Sequence, residues 1–600
     1  MASTRSKSDS KEEVKQTLNS KNPKNVYQIG GLQVEFPYQP YGTQLAFMSR
    51  VISTLDRAQR DGHSHALLES PTDIAGSSNV EPHEPQIPTI YYASRTHAQI
   101  TQVIREYRKT GYRVPMTVLG SRKRYCTNSH VQGKENVDEK CGVGRIVAYP
   151  SLQQTGHNGV HDIEDLVKIG KTVTGCPYFA SWKMLEVAQL VFCPYSYIID
   201  PVIRGGVNLQ GAIIIFDEAH NMEDIAREAG SINLEEDIIF KLKNELEQMS
   251  EVEPEIYDSL YEVVEGLISW IGRKKDSLAK RDVNHYFSNW TGDRALKELK
   301  EFNITRENFP NLKACFNQAI TKSEAAEIDP DKPYLSGISV STLEELFATL
   351  TYFFSRNGSH VLDYEMGLQR SAKRDNGWTN TFSLWCMNPS VVFKDLADLS
   401  LSIILTSGTL SPMNSFSSEL GMQFGTCLEA PHVIDPNMQV WAGAISTVPG
   451  NYPLNASYRT AEAYAFQDAL GKSLEEICTI VPGGSLVFFP SYKLMEKLCT
   501  RWHETGQWSR LCLKTDLFIE PRGGSKDDFE TVLKEYYDSI SGKNRLIGRN
   551  SSVKKAGSVI TEAQDDSKRG SAFLAVSEGM DFSDDNARAV IIVGIPLPNL

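Results

Sequence analysis

The sequence predicts an α/β protein built on parallel sheets, and three observations lead there. Short, apolar, strand-like runs recur along the chain at 66–68, 90–93, 190–192, 213–216, 401–405, 486–489, 573–576 and 590–593. Stretches of helical period separate many of them, the alternation expected of parallel sheets covered by helices. The composition is that of an ordinary globular chain, with 600 residues, 40 % hydrophobic and 23 % charged. That length allows about three to five domains.

Taken in order, residues 1–25 are Ser/Lys-rich without an apolar core, which predicts a disordered tail and no secretory signal. From Val26 the pattern becomes globular. Two stretches interrupt the alternation. Residues 113–176 hold Cys126, Cys141 and Cys176 with few strand signals, and residues 236–383 are mostly helical in pattern. Residues 541–570 are polar and rich in Ser, Lys and Gly, which predicts a flexible loop. No apolar run approaches the roughly 20 residues of a membrane span, so no membrane partner is expected. Ten cysteines are too sparse for a disulfide scaffold. Their intervals also lack the close pairs of zinc sites.

The net charge is −13, from 62 basic and 75 acidic residues. Any grip on nucleic acid must therefore be local. One basic stretch exists, with Arg95, Arg105, Arg108, Lys109, Arg113, Arg122, Lys123 and Arg124 against the single acid Glu106. By itself it suits a solvated helix face as well as a polyanion contact.

The run Ile213-Ile214-Ile215-Phe216-Asp217-Glu218-Ala219-His220 carries the most chemistry. A β-branched strand ends in two carboxylates, and parallel sheets bind ligands beyond their C-terminal strand ends. Asp217 would hold Mg²⁺ through water, and Glu218 would orient and polarise an attacking water. Phosphoryl transfer needs mostly positioning and charge stabilisation. His220 would report nucleotide state to neighbouring segments. The same residues also suit a strand end followed by a capping aspartate.

Such a site calls for a phosphate cradle, G-x-x-x-x-G-K-[ST], between a strand and a helix. The strand and loop start are present at 66–72. The chain then continues Asp73-Ile74-Ala75-Gly76-Ser77-Ser78-Asn79-Val80, without Gly-Lys-Ser/Thr, and Pro82, Pro85 and Pro88 occupy the place of the helix. Gly170-Lys171-Thr172 and Gly471-Lys472-Ser473 come after no strand, and their lysines are expected on helix surfaces.

Six collinear segments resemble superfamily 2 DNA helicases of the XPD type. They are Phe36–Gln44, Leu67–Thr72, Tyr92–His97, Asp217–His220, Leu405–Pro412 and Ser577–Phe582. Two longer stretches, Ser407–Gly421 and Ser577–Ala589, fit the branch of that family serving crosslink and replication-fork repair. The resemblance spans residues 26–600. It implies a nuclear, ATP- and Mg²⁺-dependent 5′-to-3′ DNA helicase acting on single-stranded and forked DNA with DNA-repair proteins.

The implied architecture is two RecA-like domains, with an iron–sulfur domain and a helical Arch domain inserted in the first. The boundaries are 26–112, 177–235 and 384–435 for the first RecA-like domain, 113–176 for the cluster domain and 236–383 for the Arch. A truncated second RecA-like domain occupies 436–600. Carried over residue by residue, Gln44 would contact adenine, and Ser70, Pro71 and Thr72 would begin the phosphate loop. Arg95, Thr96 and His97 would grip single-stranded DNA, which turns the basic stretch toward DNA contact. Thr406, Ser407, Gly408 and Thr409 would couple hydrolysis to movement. Glu578, Gly579 and Asp581 would face the nucleotide from the second domain.

Cys126, Cys141 and Cys176 match three of four [4Fe–4S] ligands. The fourth cysteine is absent, and His130, His157 and His161 are the nearby substitutes. An empty segment is the alternative to a labile three-cysteine cluster. Cys193 in Cys193-Pro194-Tyr195 mimics Cys176-Pro177-Tyr178 but reads as a buried thiol. Four family features are missing: the Gly-Lys-Ser/Thr after Thr72, one cluster cysteine, a basic glycine-containing stretch before Ser577, and the last motif with its arginine finger. Little or no ATPase activity is expected of the chain as written. The alternative function is an inactive isoform that binds DNA or partners without unwinding.

Overall fold

A computed structural model describes residues 26–69, 88–128, 159–173, 175–282, 285–325, 333–372, 377–432, 434–448, 452–457, 460–522, 526–541, 570–576, 582 and 584–594. The chain forms two compact units, Met1–Asp435 and Pro436–Leu600.

The first unit opens with the hairpin β1 (Val26–Ile29) and β2 (Leu32–Glu35). Its centre is a seven-stranded sheet of β3 (Ala66–Glu69), β4 (Ile90–Ser94), β5 (Met116–Val118), β6 (Leu190–Pro194), β7 (Ile213–Asp217), β13 (Ser402–Ser407) and β14 (Thr426–Glu429). The order is β14-β3-β13-β7-β4-β6-β5. Every pairing is parallel. The runs are apolar on both faces because helices cover both. On one side Phe47 and Leu55 of helix Gly42–Asp61 pack on Ala66, Leu68, Ile213 and Ile404. Elsewhere Ile100, Ile104 and Tyr107 of helix His97–Lys109 cluster with Met116, Val118 and Phe192.

Residues 236–383 were expected to be mostly helical. Helices Glu236–Val252, Pro254–Lys274, Asp293–Lys300, Phe309–Ala325 and Gly337–Gly358 are there. So is a five-stranded antiparallel sheet of β8 (Ile232–Glu235), β9 (Ala279–Asp282), β10 (His285–Thr291), β11 (Tyr364–Ala372) and β12 (Trp378–Cys386), in the order β8-β12-β11-β10-β9. Its burial has the period of two proper to strands: Tyr364, Met366 and Leu368 are buried, as are Phe382, Leu384 and Cys386. Trp270 anchors helices to sheet, edge-on to Trp290, Phe302 and Phe382, with Nε1 donating to Glu298 at 2.7 Å.

The second unit carries a four-stranded parallel sheet, β16-β17-β15-β18, from β15 (Gly483–Phe488), β16 (Thr515–Ile519), β17 (Gly570–Ala575) and β18 (Ala589–Ile592). Thus all eight runs read as strands lie in parallel strands. Lys171 and Lys472 lie exposed on helices Ile163–Val173 and Tyr464–Ile480, as expected. Among the described residues no helix is long and apolar enough to cross a membrane. Residues 1–25 and most of 541–570 lie outside the described residues.

At Gly484 a Cβ would stand 2.2 Å from the Asn586 carbonyl oxygen and 2.3 Å from the Tyr536 hydroxyl. That hydroxyl already donates to Asn586 O at 2.6 Å. Backbone cannot yield as a flexible side chain would, so Gly484→Ala should destabilise the second unit by about 1–3 kcal/mol. Denaturant unfolding of the two proteins measures it.

Candidate functional site

With all seven strands parallel, β3, β13, β7 and β4 stand side by side and end on one edge. Register places Ser407 beside Glu69, Thr406 beside Asp217, and Phe216 beside Ala93. Segments distant in sequence thus become neighbours: Glu69 leading to Ser70, Thr406–Thr409, Asp217–His220, and Ser94 leading to Arg95.

Asp217 is the last residue of β7, and the Tyr195 hydroxyl donates to its carbonyl oxygen. Its carboxylate lies 3.5 Å from the Ser94 hydroxyl. The next residue, Glu218, adopts φ 59° and ψ 42°. This left-handed well is costly for a residue with a Cβ, roughly 1–3 kcal/mol, and such strain clusters at functional sites. The Ser407 hydroxyl donates to Glu218 Oε2 at 3.0 Å. His220 Nδ1 lies 3.1 Å from Ser407 Oγ and 3.2 Å from Glu218 Oε2. Since the serine proton goes to glutamate, Nδ1 meets two acceptors and must carry the ring proton. The His220 bond, helped by Ser407 and opposed by burial, holds the Glu218 carboxyl below its ordinary value. Glu218 is therefore charged at neutral pH.

The loop after β13 is tied to the phosphate-loop strand. Glu69 Oε2 accepts from the Leu410 amide at 2.9 Å and the Ser411 amide at 2.6 Å. Gly408 and Thr409 are exposed on that loop. At the end of β4, Thr96 caps helix His97–Lys109. Its hydroxyl accepts from the Gln99 amide at 3.3 Å, and Gln99 Oε1 accepts from the Thr96 amide at 3.0 Å. Ser94 Oγ lies 3.2 Å from the same Gln99 oxygen. The expected DNA-gripping segment and Asp217 are thus joined through one serine. Arg95 and Thr96 are exposed and His97 is half-buried.

The basic stretch divides. Arg108 binds Asp162 and Asp165, and Lys109 binds Glu106 and lies over Tyr38. Arg113 donates to backbone carbonyls, including Thr110 O at 2.8 Å, and Arg122 lies over Tyr178 and Phe179. Arg105, Lys123 and Arg124 are exposed and have no ion-pair partner among the described residues.

Gln44 is 9 % exposed, and its Oε1 accepts from the Tyr41 amide at 2.9 Å, capping helix Gly42–Asp61. No hydrogen bond joins it to Asp217 or Glu218 among the described residues. Ser70, Pro71, Thr72, Glu578, Gly579 and Asp581 lie outside the described residues, as do Cys141, His130 and His157. Glu69, Ser94, Gln99 and Tyr195 were not foreseen, although Glu69 and Ser94 sit inside the motif segments.

Cys126 is buried and Cys176 half-buried at the start of helix Pro177–Leu185; both are free thiols. Thr127 Oγ1 donates to Gly175 O at 3.3 Å, so the two cysteine segments run side by side. His161 is buried just before helix Ile163–Val173, its Nδ1 3.0 Å from the Gly159 carbonyl oxygen, and the far part of that helix, at Gly170, packs on Pro177. Among the described residues no three His, Cys, Asp or Glu side chains converge as a metal site. Cys193 is fully buried in β6, where burial pushes its thiol up, as expected of a structural cysteine.

The family described as DEAD_2 matches residues 92–239, and the helicase C-terminal domain matches residues 474–600. The chain is 36 % identical over 577 residues to the Fanconi anemia group J protein homolog of Gallus gallus, covering 86 % of this chain and 44 % of that protein. The chain belongs to the XPD-like superfamily 2 helicases. Within that family it is also 31 % identical over 656 residues to the regulator of telomere elongation helicase 1 homolog of Arabidopsis thaliana, covering 95 % of this chain and 59 % of that protein. The chain thus spans about half the length of the curated relatives it matches. A solved structure named XPD helicase aligns with 94 % of this chain and 86 % of its own at 15 % identity and a TM-score of 0.47.

Because the Glu218 pKa is depressed on folding, its charge-assisted bonds stabilise above the ordinary carboxylate range and fade as pH falls through the folded value. Glu218→Gln should therefore be less stable than the parent at neutral pH, with the gap closing in acid. Chemical denaturation of both proteins across pH tests this; a gap that persists in acid would contradict it.

Proposed function

We propose that the protein is an ATP-driven DNA helicase that moves 5′ to 3′ on single-stranded and forked DNA, in nuclear repair of interstrand crosslinks and stalled forks. Repair proteins would be its partners. The observation that carries this reading is the strand-end constellation of Glu218, Ser407 and His220, with Asp217 beside it and Ser94 leading to Arg95.

Asp217 would hold Mg²⁺ through water. When bound, the ion would neutralise charge on the nucleotide phosphates. Glu218, kept anionic, would orient and polarise the attacking water. The Ser407 hydroxyl fastens that carboxylate to the Thr406–Thr409 segment, and the amides just beyond it are held by Glu69, immediately ahead of Ser70. Displacement of the phosphate loop would therefore be felt at Glu218, and displacement of Asp217 at the Thr96 cap. Gln44 would contact adenine, and Glu578, Gly579 and Asp581 would bind the nucleotide. In this reading the chain comprises two RecA-like domains, with the cluster domain 113–176 and the Arch 236–383 inserted in the first.

One observation favours a second reading, an isoform that binds DNA without hydrolysing ATP: Thr72 is followed by Asp73–Val80 rather than Gly-Lys-Ser/Thr. DNA-stimulated ATPase assays separate the two. Turnover that falls on the order of 10²–10⁴-fold in Glu218→Gln supports the motor. Absent turnover, with DNA affinity indifferent to nucleotide, supports the second.

The paired segments of Cys126 and Cys176, with Cys141, support a labile three-cysteine [4Fe–4S] cluster. Iron and sulfide analysis of anaerobically purified protein should find a cluster that is lost on exposure to air. Full, air-stable occupancy would overturn the three-cysteine assignment.

A further inference from the structure

One face of the antiparallel sheet β8–β12 belongs to the core. Ile232, Leu234, Met366, Leu368, Phe382 and Leu384 are buried there. The opposite face begins with the exposed residues Asn233 and Glu235. A sheet wet on one side should carry polar residues on that side. Two large aromatic rings break this pattern.

Phe287 of β10 and Trp385 of β12 are half-buried, and neither is among the residues that pack on the core. Between their strands runs β11, which presents Gly367. A Cβ on Gly367 would stand 2.9 Å from Trp385 Cζ3 and 3.2 Å from Phe287 Cε2. Glycine inside a strand weakens it and often marks close approach by something else. Here it lets both rings settle onto the sheet, centroids 5.7 Å apart and inclined by 36°. The Trp385 indole is held in place, its Nε1 donating to Asn233 Oδ1 at 2.9 Å. His285 stacks on Phe287 with rings 8° from parallel. The Arg281 guanidinium, on the edge strand β9, lies 5.7 Å from the Phe287 centroid. The nearby acid Glu365 accepts a hydrogen bond from Asn289.

Rings laid on a sheet with a cation at their margin match what single strands require. Every base offers a π-face, and its phosphate lies within reach of the arginine. We propose that this outward face, centred on Phe287 and Trp385 over Gly367, is a second single-strand site that stacks DNA bases and lies apart from Arg95–His97. The inference rests on the proposed action of the protein on DNA.

The test is fluorescence anisotropy with oligo-dT on the full chain, comparing the parent with Phe287→Leu/Trp385→Leu, Arg281→Gln and Arg95→Ala. The leucines keep apolar packing, and thermal unfolding checks that each variant is folded. Losing both rings should weaken binding at least tenfold. Arg281→Gln should reduce the salt dependence by about one phosphate contact. Photocrosslinks from 5-bromodeoxyuridine should map to the peptides carrying Phe287 and Trp385. If Arg95→Ala weakens binding while the double variant binds as the parent does, without those crosslinks, the platform is wrong and the DNA reading survives. If the parent binds no single strand, both fall.

Discussion

Seven strands running in one direction place seven strand ends on the same edge, and this geometric constraint organises the first unit. It is why residues as remote as Glu69, Asp217 and Ser407 meet without any long side chain reaching for another. The hydroxyl of Ser407 touches both Glu218 and His220 because register sets β13 against β7. Glu69 meets the Leu410 and Ser411 amides because β3 lies on the other side of β13. A slip of one residue in either pairing would turn these side chains to the opposite face of the sheet.

The parallel core was legible because its strands are short, doubly buried and β-branched, so composition alone marks them. Less marked strands escaped. Met116–Val118 has three residues, and Thr426–Glu429 and Thr515–Ile519 mix polar with apolar side chains. The antiparallel strands were hidden for another reason: they lie among five helices, and the helical period dominated the reading of residues 236–383. The site divides similarly. Asp217, Glu218 and His220 stand together in sequence and could be read there. Glu69, Ser94 and Tyr195 act through pairings made only by the sheet. The basic stretch divides for the same reason, since Arg108 finds Asp162 and Asp165, acids remote in sequence that a local count of charge cannot show.

The antiparallel sheet is attached close to the chemistry. Chain leaving His220 passes through helix Met222–Ala229 into β8, and chain leaving β12 passes through helix Ser390–Leu399 into β13. The Tyr364 hydroxyl donates to Gly230 O at 3.0 Å, and the Cys386 amide donates to Ser231 Oγ at 2.8 Å. The large insertion therefore hangs from two strands that supply Glu218 and Ser407.

The bond between Glu218 and Ser407 joins residues 189 apart in sequence. Closing so long a loop costs chain entropy that only the folded insertion can offset. During synthesis the carboxylate pair emerges long before its serine partner, and nearly the whole insertion must be made in between. The charged glutamate thus acquires its setting late, and a partly made chain holds the acidic half of the site without the contact that orients it.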